Sequence, residues 1–225
     1  MDTLPEASPR PTPGPRDASA TASTPKTPAR ERILETAALL FYRQGIHAVG
    51  VDAIVAESGV AKMSFYRHFP SKDDLIRAVL ELHDRRYWAW WDEALALHPD
   101  DPRQQLRDLF AAAGERLLRP AYRGCAFINF TAEYAQVGHP GYDIVIANKR
   151  QQRARLGALV DRLGVAEPEL LADQLLFLME GARVSALTLG DAGPARHLPR
   201  AAEALVSSHV AASTPNPALA QVIAR

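Results

Sequence analysis

Residues 49–72 read VGVDAIVAESGVAKMSFYRHFPSK. Val51, Ile54 and Val55 recur at a spacing near 3.6, which predicts a short amphipathic helix. Ser58-Gly59 breaks it, and a glycine there can take positive φ and let a second helix leave at a steep angle. That second helix, about residues 62–69, has Phe65 and Phe69 four apart, hence on one face, where they anchor it to a small core. Lys62, Met63, Ser64, Arg67 and His68 fall largely elsewhere. From Val60 to Lys72 there are three basic residues, one histidine and no acid. Alone, this spacing fits two structures equally. One is a helical hairpin with a solvated charged face. The other is a helix-turn-helix whose second helix enters a major groove.

Upstream, Thr27-Pro28 is a cap followed by proline at the first helical position. The helix it opens runs to Gln44 and stops at Gly45, burying Leu34, Ala37, Ala38 and Phe41. Thr27 and Arg30 lie at its start, where free N–H groups and the helix dipole favour a phosphate. Residues 1–25 are rich in Pro, Ala, Ser and Thr and cannot bury enough apolar surface to offset ordering entropy, so a disordered tail is expected.

Downstream, Ser71 and Asp74 form a capping-box pattern. The helix they open packs Leu75, Ile76, Val79 and Leu80 and continues to about Leu97. All three tryptophans of the chain, Trp88, Trp90 and Trp91, lie on it within four residues and cannot share one face. They can pack between two subdomains, or Tyr87, Trp90 and Trp91 can wall a ligand pocket.

The break at His98-Pro99-Asp100-Asp101-Pro102 opens a second helical region. Helices are expected over 104–118, 125–136, 142–163, 168–189 and 195–212, with a loose tail over 213–225. The basic run Lys149, Arg150, Arg153, Arg155 is expected as a solvated face. Phe110, Phe127, Phe130, Tyr134 and Phe177 are further candidates for an apolar ligand wall. Glu133 and Arg183 are candidates to orient a ligand's polar group. Leu178, Ala182, Ser185 and Ala186 on one helix, and Ala201, Leu205 and Ser208 on the next, make small-residue faces. Such faces suit close packing, either within the chain or between two copies as a four-helix bundle.

The net charge is zero, but charge distribution matters more than the sum, and residues 26–80 carry eight Lys/Arg against six Asp/Glu. Cys125 is the single cysteine, so no internal disulfide can form, and it reads as a small core residue. No stretch of about 18 apolar residues suggests a membrane span, and no leader pattern opens the chain, so a cytoplasmic protein is expected. Phosphate-loop, zinc-protease, nucleophile-elbow and Cys-x-x-Cys patterns are lacking, so neither enzyme chemistry, cofactor nor metal is expected.

The segment from Gly59 to Lys72, GVAKMSFYRHFPSK, resembles the DNA-binding signature of the TetR/AcrR family of transcriptional regulators. The likeness extends back through Arg32-Ile33-Leu34, Ala37-Ala38, Phe41 and Gly45, and forward to Asp73-Asp74-Leu75. Farther on, Gly124 to Asn129, GCAFIN, is similar to a segment of many members. Two positions depart from the family pattern: Val49-Gly50 stands where Thr or Ser is usual, and Ala61 where Ser is usual. Losing such a cap costs about 0.5–2 kcal/mol, less where glycine replaces it.

The resemblance implies an all-α chain: a three-helix helix-turn-helix domain over 26–80, then a helical ligand-binding and dimerisation domain over 81–212. It implies operator DNA, a small apolar or aromatic effector and a second copy of the chain as partners, and repression as the mode. Tyr66, His68 and Lys72 match the family's phosphate contacts. By position, Lys62 faces guanine, Met63 a thymine methyl and Ser64 either base, while Arg67 serves base or phosphate.

Overall fold

A computed structural model describes residues 27–134 and 138–213. The expected N-terminal tail, the last two residues of the helix expected over 125–136, and the tail beyond residue 213 lie outside the described residues. Within them are α1 (Ala29–Gln44), α2 (Val51–Ser58), α3 (Lys62–His68), α4 (Lys72–Leu95) and α5 (Pro102–Leu117). Then come α6 (Ala126–Glu133), α7 (Gly141–Asp161), α8 (Pro168–Leu189), two 3-10 turns (Gly190–Ala192 and Pro194–His197) and α9 (Leu198–Ser213). No strand occurs among the described residues, so the fold is all-α.

The apolar stripes assemble two cores. In the first, Ile33, Ala37 and Phe41 of α1 meet Ile54 of α2, Phe65 of α3 and Leu75, Ile76 and Val79 of α4. Phe65 is wholly buried, and truncating such a ring costs about 3–5 kcal/mol. Phe127 and Phe130 of α6 and Val145 of α7 join this core, so it draws on residues well beyond position 80. The second core gathers Trp88 and Trp91 of α4, Leu109 and Phe110 of α5, Leu156 and Val160 of α7, Leu171 and Leu175 of α8 and Val206 of α9. Helix α4 thus belongs to both.

Between the cores α4 carries a polar joint. Asp84 accepts from the Trp88 indole N–H at 3.0 Å and from the Asn148 amide at 2.8 Å. Gln152 donates to Asn148 Oδ1, and Arg183 donates to Gln152 Oε1 at 3.2 Å. Asn148, Gln152 and Arg183 are buried. A buried amide without partners costs about 1–3 kcal/mol, and this chain of bonds from α8 through α7 to α4 removes that cost.

Helix ends follow local chemistry. The Ser71–Asp74 capping box is present in both directions. Gly59 closes α2 at φ 62°, the left-handed value that the turn into α3 requires. Gly50 and Ala61 make no side-chain cap. Helix α1 starts one residue later than the proline rule suggests: Pro28 is itself the cap residue, with extended ψ, and no side chain caps the helix. The basic run of α7 is less solvated than its composition suggests. Lys149 pairs with Glu180, Arg153 with Asp173 and Arg155 with Asp92, because acids on α8 and α4 face it. Glu203 of α9 is clamped by Arg107 and Arg103 of α5. Hydrogen bonds from Arg107, then Arg103 and Ser207, pull its carboxyl down to about 2.

Candidate nucleic-acid interface and effector cavity

Helix α3 turns Phe65 inward and its remaining side chains out. Lys62, Met63, Tyr66 and Arg67 are exposed, and Ser64 and His68 are half-buried. Met63 is 82% exposed, which for an apolar side chain leaves it without packing in the free protein. The Tyr66 ring stands edge-on to Phe65 at 5.3 Å, so its hydroxyl is carried on a supported ring. Arg67 donates to Ser64 Oγ at 3.0 Å, one turn away. Lys62 is not free: its ammonium lies 2.7 Å from Asp52 of α2, and the hydrogen bond and charge of Asp52 raise its pKa.

Thr27 and Arg30 are exposed at the start of α1, with the Arg30 guanidinium 5.2 Å above the Phe69 ring. Arg32 reaches the Gly59 carbonyl at 3.4 Å and ties α1 to the turn before α3. Lys72 faces inward rather than outward. Its ammonium donates to the Ile46 carbonyl at 2.6 Å and lies 5.9 Å from the centre of the Phe41 ring. Burial lowers its pKa. To meet a phosphate Lys72 must leave that carbonyl, whereas Tyr66 and Arg67 already point into solvent.

A cavity of about 340 Å³ opens where the two cores meet. Tyr42 of α1 lines one side, and His83, Tyr87 and Trp90 of α4 the next. Arg116 and Leu117 of α5, Arg119, Tyr122 and Cys125 of the following loop, Phe127 of α6, and Met179 and Arg183 of α8 complete it. Arg183 is held by Glu180 at 2.5 Å, Tyr87 at 3.2 Å and Gln152. Glu180 also accepts from Lys149 at 2.7 Å, so one carboxylate serves two cations. Burial pushes the Tyr87 phenol up to about 12. It pulls His83 down to about 4, with the Arg86 charge adding to the effect, so at neutral pH this imidazole is uncharged. The Tyr42 hydroxyl donates to the Gly124 carbonyl at 3.0 Å and accepts from the Arg123 N–H at 2.8 Å, joining α1 to the cavity's loop wall.

Of the ligand candidates, Tyr87, Trp90, Phe127 and Arg183 line this cavity. Trp91, Phe110 and Phe130 do not: all three are fully buried in the cores, one helical turn deeper than the lining residues Tyr87, Ala113 and Phe127. Glu133 does not line this cavity and forms a joint instead. Its carboxylate accepts from the His47 N–H at 2.9 Å and its carbonyl lies 3.0 Å from His47 Nε2. Tyr134 stacks on His47 at 4.6 Å, so the end of α6 clasps the loop between α1 and α2. Gly45 sits in that clasp at φ 92°, where a Cβ would come 3.3 Å from the Glu133 carboxylate. Phe177 is 72% exposed on the outer face of α8. Tyr42, His83, Arg116, Arg119 and Tyr122 line the cavity without a signal in the sequence, since Tyr42 joins them from some 40 to 80 residues away in the chain.

The outer face of α8 and α9 is apolar. Phe177, Leu178, Gly181, Ala182 and Ser185 face Ala201 and Leu205 across a broad groove. Ser208 is exposed beyond it, and Ala186 is buried against the second core. No helix of the described residues is long and apolar enough to cross a membrane. Nor do those residues group three His, Cys, Asp or Glu side chains as a metal site.

Residues 33–79 match the family model described as bacterial regulatory proteins, tetR family. The transcriptional activator FasR of Mycolicibacterium smegmatis is 37% identical over 83 residues, which are 37% of each chain. The transcriptional repressor KstR2 of the same organism is 28% identical over 134 residues, 58% of this chain and 63% of that one. The matches to FasR and to YxaF of Bacillus subtilis thus span only about a third of those relatives, 37% and 30%. The likeness to solved structures is longer. SCO4454, a regulator from Streptomyces coelicolor, superposes with a TM-score of 0.73 at 32% identity, over 82% of this chain and 95% of that one. With an exposed helix-turn-helix at one end and a helical body like that of SCO4454 behind it, the chain belongs to the TetR family of DNA-binding transcriptional regulators.

Proposed function

We propose that the protein is a homodimeric repressor, released from a palindromic operator by a small molecule with an apolar or aromatic body. The observation that carries this is the shared cavity wall. Tyr42 belongs to the helix that braces α3, and it lines the same cavity as Trp90 and Arg183. A ligand that prefers one arrangement of that wall shifts the placement of α3, by as much as its differential affinity allows. Residues 26–80 act as the DNA-binding unit and 81–212 as the effector and dimerisation unit, with the cytoplasm as the site of action. Within the DNA unit, Lys62, Met63 and Ser64 meet base edges, while Tyr66, Arg67, His68, Thr27 and Arg30 meet the backbone. Lys72 joins them after releasing Ile46.

The dimer forms through the groove face of α8 and α9, where Phe177, Leu178, Ala182, Ser185, Ala201, Leu205 and Ser208 offer small and apolar contacts. Two α3 helices related by a twofold axis read half-sites about one or more helical turns apart. The test is to select duplexes from random DNA with the full chain and then measure the mass of the complex. A palindromic consensus bound by an even number of chains supports the proposal. A non-palindromic site bound by one chain overturns it. A reporter carrying the selected site separates repression from activation.

A further inference from the structure

The cavity is the feature whose chemistry is most one-sided. Among the described residues three arginines line it, Arg116, Arg119 and Arg183, and no aspartate or glutamate does. Arg183 is answered by Glu180, but that carboxylate also serves Lys149. Arg116 is half-buried and makes no ion pair among the described residues. Its guanidinium rests 4.7 Å from the centre of the Trp90 ring. Burial, then the Arg119 charge, push the Arg116 pKa below its usual value, and Arg183 acts in the same sense, with no carboxylate on the cavity wall among the described residues to balance them.

The phenols do not supply that balance. Burial raises the pKa of both Tyr42 and Tyr122, so they stay neutral, and the Tyr122 hydroxyl lies 3.5 Å from the Arg183 carbonyl. His83 is neutral and makes no hydrogen bond among the described residues. Around these groups the walls are flat and apolar, with Trp90, Phe127 and Leu117.

We infer that the cavity takes a small organic anion, an aromatic or fused-ring carboxylate, with its charged group at Arg116 and Arg119 and its ring system against Trp90 and Phe127. This deepens the effector reading proposed above and rests on it. A neutral apolar ligand would strip more water from Arg116 without giving it a partner, which is costly. An amine would add charge of the same sign. A carboxylate supplies the missing counter-ion and matches the planar, two-pronged donors of a guanidinium. The volume, about 340 Å³, lies at the small end of ordinary ligand sites.

The test uses the full chain and three probes of one shape: 2-naphthoate, 2-naphthamide and 2-naphthylmethylamine. Affinity is read by titration calorimetry and by quenching of Trp90, and DNA affinity on the selected duplex is read in parallel. The expected result is that naphthoate binds about tenfold or more tighter than the amide, that the amine binds least, and that Arg116→Met removes the preference for the acid. The wild-type probe series stands even where the variant fails to fold. Equal binding of acid and amide, tighter binding of the amine, or no binding of naphthoate at all overturns the inference. Release of DNA by the amide or amine alone leaves the effector reading intact while removing the anion. Tight binding of naphthoate with unchanged DNA affinity keeps the anion site and removes its control of DNA.

Discussion

Tyr42 and Gly124, 82 positions apart in the chain, are joined by a hydrogen bond of 3.0 Å from the phenol to the carbonyl. The same hydroxyl receives the Arg123 N–H at 2.8 Å. Helix α1 and the loop before α6 are therefore tied through one oxygen atom at the edge of the cavity.

Tyr42→Phe removes that tie and keeps the ring. Net loss of two such bonds costs about 1–3 kcal/mol, readable as a lower urea midpoint. DNA affinity without effector stays within about threefold. With 2-naphthoate as probe, the fall in DNA affinity expected for the wild type, about fivefold or more, shrinks below about twofold. An undiminished response in the variant would show that the tie carries nothing between the sites.

Lys62 and Asp52 form an exposed ion pair at 2.7 Å, and such pairs contribute little to stability. Lys62→Ala leaves the melting temperature unchanged and lowers discrimination at one base pair of the half-site by about tenfold or more. Asp52→Asn tightens binding to all duplexes, by about threefold at low salt, because Lys62 no longer has to leave a carboxylate and one repelled charge is gone. Competition binding against single-base variants of the selected site checks both. Uniform weakening by Lys62→Ala would move that residue from the bases to the backbone.

His83 makes stability fall in acid. Its folded pKa is about 4, against an ordinary 6.5, through burial and then the Arg86 charge, opposed by Glu35, with Arg116 acting in the same sense as Arg86. Below pH 6.5 the unfolded chain takes up a proton that the folded chain refuses. The native state thus keeps its full stability above pH 6.5 and loses up to roughly 3 kcal/mol as the pH falls to 4. His83→Gln flattens that part of the profile. Urea unfolding of both proteins at pH 7 and pH 4.5 measures the difference, and parallel profiles would place the acid sensitivity elsewhere.

Phe177, 72% exposed on the α8 face, gives a clean test of assembly. Phe177→Glu places a charge in the proposed interface and removes no core contact. Light scattering after gel filtration is expected to show the mass of one chain, with an unchanged circular dichroism spectrum. A persistent dimer would put the interface on another surface.

The helix-turn-helix was legible because its determinants are local. Phe65 and Phe69 four apart, Gly59 at the turn and Ser71 with Asp74 act within one or two helical turns, and each does what its spacing implies. The cavity was only half legible. A run of aromatic residues on α4 shows that some must face inward, but not which core each enters. Trp90 borders the cavity and Trp91 beside it is sealed in the second core, a difference of one position on the helix. The inward contacts of Glu133 and Lys72 were illegible for a related reason. Each finds its partner, His47 or Ile46, at a distance of 86 or 26 positions in the chain, and no local pattern announces such a contact. The cationic wall is assembled from α5, the loop after it and α8, so its sign could not be read from any one segment.

Helix α4 has 24 residues, a contour of about 36 Å at 1.5 Å per residue. Lys72 at its start adjoins α3, and Trp90, eighteen residues on, borders the cavity, an arm of about 27 Å. A tilt of about 7° about the cavity end sweeps the other end through about 3.4 Å, one base-pair step of a strand. On the proposed mechanism no large rearrangement is needed for release: a rotation of that size, small enough to be absorbed by side-chain adjustment around one ligand, would put a recognition helix out of register by a whole step.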